Sequence, residues 1–425
     1  MVSPSSIISE DPAEVFIRAI DLDAVRELAL NVRLAKLLTA AGNPSLIDIA
    51  CSVISPPKYG SYNVVYELQL SDGVSWVLRL PFSEWTPSAA RNMELDMVAL
   101  DCIARRTSVP IPHIHAYSTS TDNPVRNAYI IMDKIHGVPL AAVWHDESWW
   151  TGKRRKENFF ESLAECMVQL ASIQFGRIGR LDRVSSEGSL TEVVIPFPSV
   201  QDMFFLVEAP TEEFGPFSTT HEYLTALLRA RRRVCDYPTL ALLQMFIGGL
   251  PDPQFDAAPF AFAHPDYSLH NIIVDDMGVV SGIIDWDGVA IEPLHCGALR
   301  FPPWLILDWD PPMYEASKVY HPVDSQEDLH RYRRMYVDAV DAASGGKLSA
   351  ATRNSHITSG LSMAITNPHQ TEGIATRLTE FVLGSSVLAV EVMYAIERGA
   401  WFTTPPTEVP EVIRKHLHST VLDMN

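Results

Sequence analysis

Ala263-His264-Pro265-Asp266-Tyr267-Ser268-Leu269-His270-Asn271-Ile272-Ile273-Val274 is the stretch that decides the reading. After Asp275-Asp276-Met277-Gly278 it continues as Val279-Val280-Ser281-Gly282-Ile283-Ile284-Asp285-Trp286-Asp287. Two short apolar runs around a Gly-containing turn predict a hairpin from Asn271 to Asp287. Asp266 and Asn271 flank a tight loop that runs straight into the first strand. The return strand then brings Asp285 back beside Asn271. One carboxylate, one amide oxygen and a second carboxylate thus converge at the strand ends.

Hard oxygen ligands of this kind suit Mg2+, which keeps several waters and needs few protein groups. Phosphoryl transfer asks for a metal to neutralise phosphate charge, a carboxylate to orient the attacking hydroxyl, and a rigid frame. Asp266 would accept or orient the proton, and Asn271 and Asp285 would hold the metal. A lone His-x-Asp carries almost no information, and a lone Asp-Trp-Asp is an ordinary turn. The three residues at loop–strand–turn–strand spacing are far more specific. His264 reads as a support for the loop, His270 as a packing or solvent-facing residue, and Asp287 as either an assistant to the site or a surface acid.

Outward from this stretch, Asn63–Leu70 alternates in polarity, Ser71-Asp72-Gly73 makes a turn, and 74–80 returns as a second strand. A helix is predicted from about Ser88 to Thr107, ended by Val109-Pro110-Ile111-Pro112. Ala128 to Ile135 reads as a further strand. Residues 22–38 have helical spacing, ended at Asn43-Pro44. Beyond residue 150 the chain turns helical, with helices predicted over 159–175, 223–237 and 240–247. Others are predicted near 326–343, 350–366, 374–398 and 408–420. Residues 176–220, rich in Gly, Pro and Ser, read as an irregular insertion.

His-x-Asp-x-x-x-x-Asn followed by Ile-Ile-Asp-Trp-Asp resembles the aminoglycoside phosphotransferase and choline kinase-like family, relatives of protein kinases. The resemblance covers roughly residues 45–310 and is strongest to fungal phosphotransferase-domain proteins, with their Pro- and Trp-rich stretch, here 300–311. It implies an α+β, bilobal, protein-kinase-like fold with a small antiparallel-sheet N-lobe and a larger, mainly helical C-lobe. The expected division is a helical extension over 1–45, a nucleotide-binding lobe over 46–135, and a lobe with catalytic loop and substrate site over 136–425. By the same resemblance, Gly60 and Ser61 lie in the loop that covers ATP phosphates. Arg79 stands where the family has a phosphate-binding lysine, a departure, since arginine differs in reach and geometry. Its acidic partner is Asp96 by register, with Glu94 the better residue type two positions earlier. Met132, Asp133 and Ile135 would meet the adenine edge. Asp266 and His264 form the catalytic loop, and Asn271 and Asp285 are the metal ligands.

Net charge is −19, which disfavours nucleic acid and anionic membrane surfaces. An acidic surface is compatible with an amine-bearing, hydroxylated small-molecule substrate. The 5 cysteines are scattered, without Cys-x-x-Cys spacing, so no zinc site or disulfide framework is expected. The first residues show no signal-peptide pattern and no apolar run spans a bilayer, so a cytoplasmic protein is expected. The basic runs Lys153–Lys156 and Arg229–Arg233 read as solvated helix faces. Two functions compete: an active small-molecule kinase, favoured by the complete Asp266, Asn271 and Asp285 set, and a non-catalytic kinase-like binding protein, favoured by Arg79 and the glycine-poor loop. Protein-kinase activity is disfavoured by the lack of an Ala-Pro-Glu segment after Asp285.

Overall fold

A computed structural model describes residues 11–41, 49–186, 189–198, 214–230, 236–385 and 387–398. The predicted helix at 408–420, the Asn43-Pro44 helix end and the basic run Arg231–Arg233 lie outside the described residues. The chain divides into two compact units. One holds Met1–Glu94 and Ile111–His136, the other Leu95–Pro110 and Gly137–Asn425.

The first unit is built on an antiparallel sheet of five strands in the order β1-β2-β3-β5-β4. These are β1 (Cys51–Tyr59), β2 (Asn63–Leu70), β3 (Ser75–Pro81), β4 (Ile114–Ser118) and β5 (Tyr129–Asp133). The Ser71-Asp72-Gly73 turn closes with Gly73 N–H donating to Leu70 O at 3.0 Å, and Gly73 takes φ +87°, which a side chain would resist. Alternation sets the two faces. Val64, Tyr66, Leu68 and Leu70 of β2 join Trp76, Leu78 and Leu80 of β3 in a buried cluster with Val25, Leu28 and Ala29. Those last three lie on α2 (Leu22–Ala41), which follows α1 (Pro12–Ala19). The opposite face carries Val65, Val77, Arg79 and Met132, tied by the register Val65↔Arg79 and Val77↔Met132. Helix α3 (Pro87–Arg106) contributes its first residues to this unit and its remainder to the other.

The second unit is mainly helical. It opens with β6 (Val138–Pro139), α4 (Leu140–Val143) and α5 (Lys156–Ser172), followed by β7 (Arg180–Ser186) and β8 (Ser189–Ile195). Next come α6 (Thr220–Ala230), α7 (Tyr237–Gly249), β9 (Phe260–Ala263), β10 (Ile272–Val274), β11 (Val280–Ile283) and β12 (Ala290–Pro293). The remaining helices are α8 (Pro311–Tyr320), α9 (Gln326–Ser344), α10 (Ser349–Arg353), α11 (Ser355–Thr366), α12 (Thr371–Leu383) and α13 (Ala389–Glu397). The expected α+β class, with an antiparallel-sheet part and a mainly helical part, is the class found.

Three expectations are corrected. The supposed irregular insertion contains the β7–β8 hairpin, paired from Arg180↔Ile195 to Ser186↔Ser189. Its strand signal was hidden because two buried positions of β7 are the charged residues Arg180 and Asp182. The helices expected at 350–366 and 374–398 are each broken, at Asn354 and at Gly384, whose φ is +93°. Lys156 is not a solvated basic residue: its ammonium lies 4.6 Å from the Trp144 ring centre and donates to Tyr332 Oη at 2.8 Å. Trp304 and Trp309 are buried packing residues, Trp304 edge-on to Trp144 and Tyr267.

Candidate active site

Two strand pairings position the loop. Strand β9 pairs with β12 through Ala263↔Ala290, and β10 pairs with β11 through Ile272↔Ile283. The residues between β9 and β10 are the 264–271 loop. Those between β11 and β12 are the 284–289 turn. Antiparallel pairing at both ends therefore sets loop and turn side by side. The junction is closed by Ile284 N–H donating to Asn271 O at 2.9 Å, which leaves Asp285 one residue beyond Asn271's backbone partner.

Asn271 is 8% exposed. Its Nδ2 donates to Asp266 twice, to the backbone carbonyl and to carboxylate Oδ2, both at 2.9 Å. The amide nitrogen is thereby spent, and the amide oxygen is the remaining polar atom of the side chain. Ser268 N–H also donates to Asp266 O at 2.9 Å. The loop is thus folded around Asp266, whose side chain remains exposed. Asp285 is exposed as well and takes φ +65°, in the left-handed region that Asp tolerates better than most residues. Such a conformation persists only where the surroundings determine it. Here Trp286 Nε1 donates to Ile283 O at 2.8 Å and Val289 N–H to Trp286 O at 3.0 Å.

His264 lies beneath the loop at 4% exposure, its Nε2 donating to Ile284 O at 2.9 Å and its ring edge-on to Trp286. Burial pushes its pKa down to about 4, so the ring is neutral at physiological pH. Arg300, which sequence reasoning missed, reinforces it by donating from Nη2 to His264 O at 3.2 Å.

Asn271 and Asp285 fit a magnesium ion by their chemistry: an amide oxygen freed by the Asp266 bonds and an exposed carboxylate, with waters and phosphate to complete the shell. Among the described residues, no group of three or more His, Cys, Asp or Glu could hold a metal alone.

In this same unit Asp96, 4% exposed, accepts at Oδ1 from Arg180 Nη2 at 2.7 Å and from Gly288 N–H at 3.0 Å. Glu94, the other acidic candidate, forms a surface pair with Arg91 at 3.3 Å. In the sheet unit, Arg79 lies on the face of β3 away from the core cluster, between Val65 and Ile130 in register. Gly60 and Ser61 lie in the β1–β2 turn, where Gly60 N–H donates to Asn63 O at 3.1 Å. Met132 and Asp133 end β5. The Asp133 carboxylate is bonded to His115 Nε2 at 2.6 Å, and Ile135 follows the strand half-buried.

Residues 53–297, more than half of the 425, match the phosphotransferase enzyme family. The chain belongs to that family. The chain resembles Altered inheritance of mitochondria protein 9, mitochondrial, of Candida albicans, with 25% identity over 126 residues, 29% of this chain and 20% of that protein. It resembles a subtelomeric hrmA-associated cluster protein of Aspergillus fumigatus with 29% identity over 94 residues, 22% of this chain and 18% of that protein. The match thus spans no more than 20% of the length of either relative. Among solved structures, a macrolide 2'-phosphotransferase type I aligns over 83% of this chain and 96% of its own, at 15% identity and TM-score 0.42. An amicoumacin kinase in complex with AMP-PNP and Ca2+ aligns over 79% and 89%, at 10% identity and TM-score 0.41. No described helix is long and apolar enough to cross a membrane.

Proposed function

We propose that this phosphotransferase is an ATP-dependent small-molecule kinase that moves the γ-phosphate to a substrate hydroxyl. The carrying observation is the pair of hydrogen bonds from Asn271 Nδ2 to Asp266, which orients the base and leaves the amide oxygen for a metal in one arrangement. Asp266, exposed and oriented, accepts the hydroxyl proton as the acceptor attacks. Asn271 Oδ1 and the Asp285 carboxylate hold Mg2+, which when bound neutralises phosphate charge. His264, neutral and buried, keeps the loop and the Asp285 strand end at fixed spacing.

The nucleotide is assigned to the sheet unit. Arg79, on the face away from the core, meets the phosphates through its guanidinium. The β1–β2 turn at Gly60 and Ser61 covers the phosphates, as the family resemblance implies. The backbone of Met132, Asp133 and Ile135 takes the adenine edge. The acceptor is a hydroxylated small molecule, with an amine-bearing one favoured by the acidic chain. The relatives' mitochondrial names make mitochondria the alternative to the cytoplasm, to be separated by fractionation.

The test is a screen of hydroxyl-bearing metabolites for ATP consumption, repeated with Asp266→Asn. The variant abolishes turnover and leaves ATP affinity within about twofold of wild type, because it removes the proton acceptor and no nucleotide contact. Full turnover by Asp266→Asn would remove Asp266 from the base role. Mg2+-dependent ATP binding without any turnover would favour a non-catalytic kinase-like protein.

A further inference from the structure

We propose that Asp96 and Arg180 are positioning residues for the metal-binding turn, acting through the amide of Gly288. The inference rests on the reading of Asp285 as a metal ligand. Three segments of one unit meet at a single oxygen. Asp96 Oδ1, on α3, accepts from Arg180 Nη2 of β7 at 2.7 Å and from the Gly288 N–H at 3.0 Å. Gly288 closes the turn that begins with Asp285, and both residues have positive φ, +85° and +65°. Gly288 takes its positive φ freely, but the left-handed Asp285 keeps its conformation only where its surroundings determine it. The Asp96 carboxylate, buried and therefore immobile, holds the end of the turn by accepting a charge-assisted hydrogen bond from the Gly288 N–H.

Arg180, 2% exposed, fixes the anion in turn, and its own backbone is fixed independently. The preceding residue, Gly179, exchanges both backbone bonds with Ile291 of β12: N–H to Ile291 O at 3.1 Å and O from Ile291 N–H at 2.8 Å. A Cβ at Gly179 would stand 2.3 Å from Ile195 O, so the close approach of β8 at this point demands glycine. Arg180 is therefore anchored to the strand that leaves the metal turn, and its side chain locks Asp96 onto the amide that ends it. Outer groups that orient ligands in this way commonly change metal affinity by about 10- to 100-fold when removed.

The experiment compares wild type, Arg180→Met, Arg180→Lys and Asp285→Ala by calorimetric ATP titration with and without Mg2+. Hydrogen exchange of the peptide containing Gly288 is followed in parallel. Arg180→Met is expected to reduce the Mg2+-dependent gain in ATP affinity about tenfold. It should leave Mg2+-free affinity unchanged and speed exchange at Gly288, while Arg180→Lys recovers most of both. Should Arg180→Met fail to fold because Asp96 is left buried without that cation, Arg180→Met/Asp96→Leu removes both charges and is read the same way. An intact Mg2+-dependent gain in the Arg180 variant, with the gain lost in Asp285→Ala, overturns the positioning role and leaves the metal reading standing. Equal weakening with and without Mg2+ also overturns it, since that is what a merely structural pair would do. A gain that survives in Asp285→Ala defeats the metal reading itself.

Discussion

Replacing Asn271 separates what its amide nitrogen does from what its amide oxygen does. Asn271→Ala removes two 2.9 Å hydrogen bonds to Asp266. The bond to the carbonyl is a neutral one, worth about 1 kcal/mol, and Ser268 N–H still satisfies that oxygen. The bond to the carboxylate is charge-assisted but ends on an exposed group, which places it near the low end of about 1.5–3 kcal/mol. The expected loss of stability is about 2–3 kcal/mol. Asn271→Asp keeps an oxygen for the metal but sets a second carboxylate against Asp266. Two ionised carboxylates so close repel, so this variant is destabilised most where both are charged. The assay is urea unfolding of both variants at about pH 5 and about pH 8. Asn271→Ala should show an offset independent of pH, and Asn271→Asp an offset that grows at the higher pH. An Asn271→Ala midpoint equal to wild type, or a flat Asn271→Asp offset, would refute the reasoning.

Two other outcomes follow from the same structure. Burial pushes the pKa of His264 and His295 down to about 4 and that of His356 to about 3. These depressed values mean that the unfolded chain binds protons first. The stability they contribute is complete above about pH 6.5 and falls as pH drops toward 4. Each histidine adds a slope of at most about 1.4 kcal/mol per pH unit, measurable as urea midpoints across that window; a flat profile would contradict the burial of neutral rings. The phosphate role of Arg79 is tested by Arg79→Ala, which should weaken ATP binding; unchanged affinity would remove Arg79 from the nucleotide site.

The 264–271 loop and its hairpin were legible because their constraints are local. The spacing from Asp266 to Asn271, and from there through the hairpin to Asp285, fixes strand pairing and site together. The β2–β3 hairpin was legible for the same reason: polarity alternates and Gly73 marks the turn. What escaped was long-range. Arg180 and Asp182 hide a strand because buried charges break the apolar pattern, and Arg180 pairs with Asp96, far earlier in the chain. Arg300 braces His264 from 36 residues further on. Pro311 and Pro312 begin α8 behind Asp310, whose side chain caps Met313 N–H at 3.2 Å, a start for which no helix was expected from the sequence. Asn354 and Gly384 split helices whose apolar spacing runs on through them.

The central claim is a Mg2+-dependent nucleotide site built on Asp285. Calorimetric titration of ATP, with and without Mg2+, into wild type and Asp285→Ala tests it most directly. The account predicts tighter ATP binding with Mg2+ in wild type and no such gain in the variant, with both proteins folded. An equal gain in the two proteins, or no ATP binding by folded wild type, would contradict it.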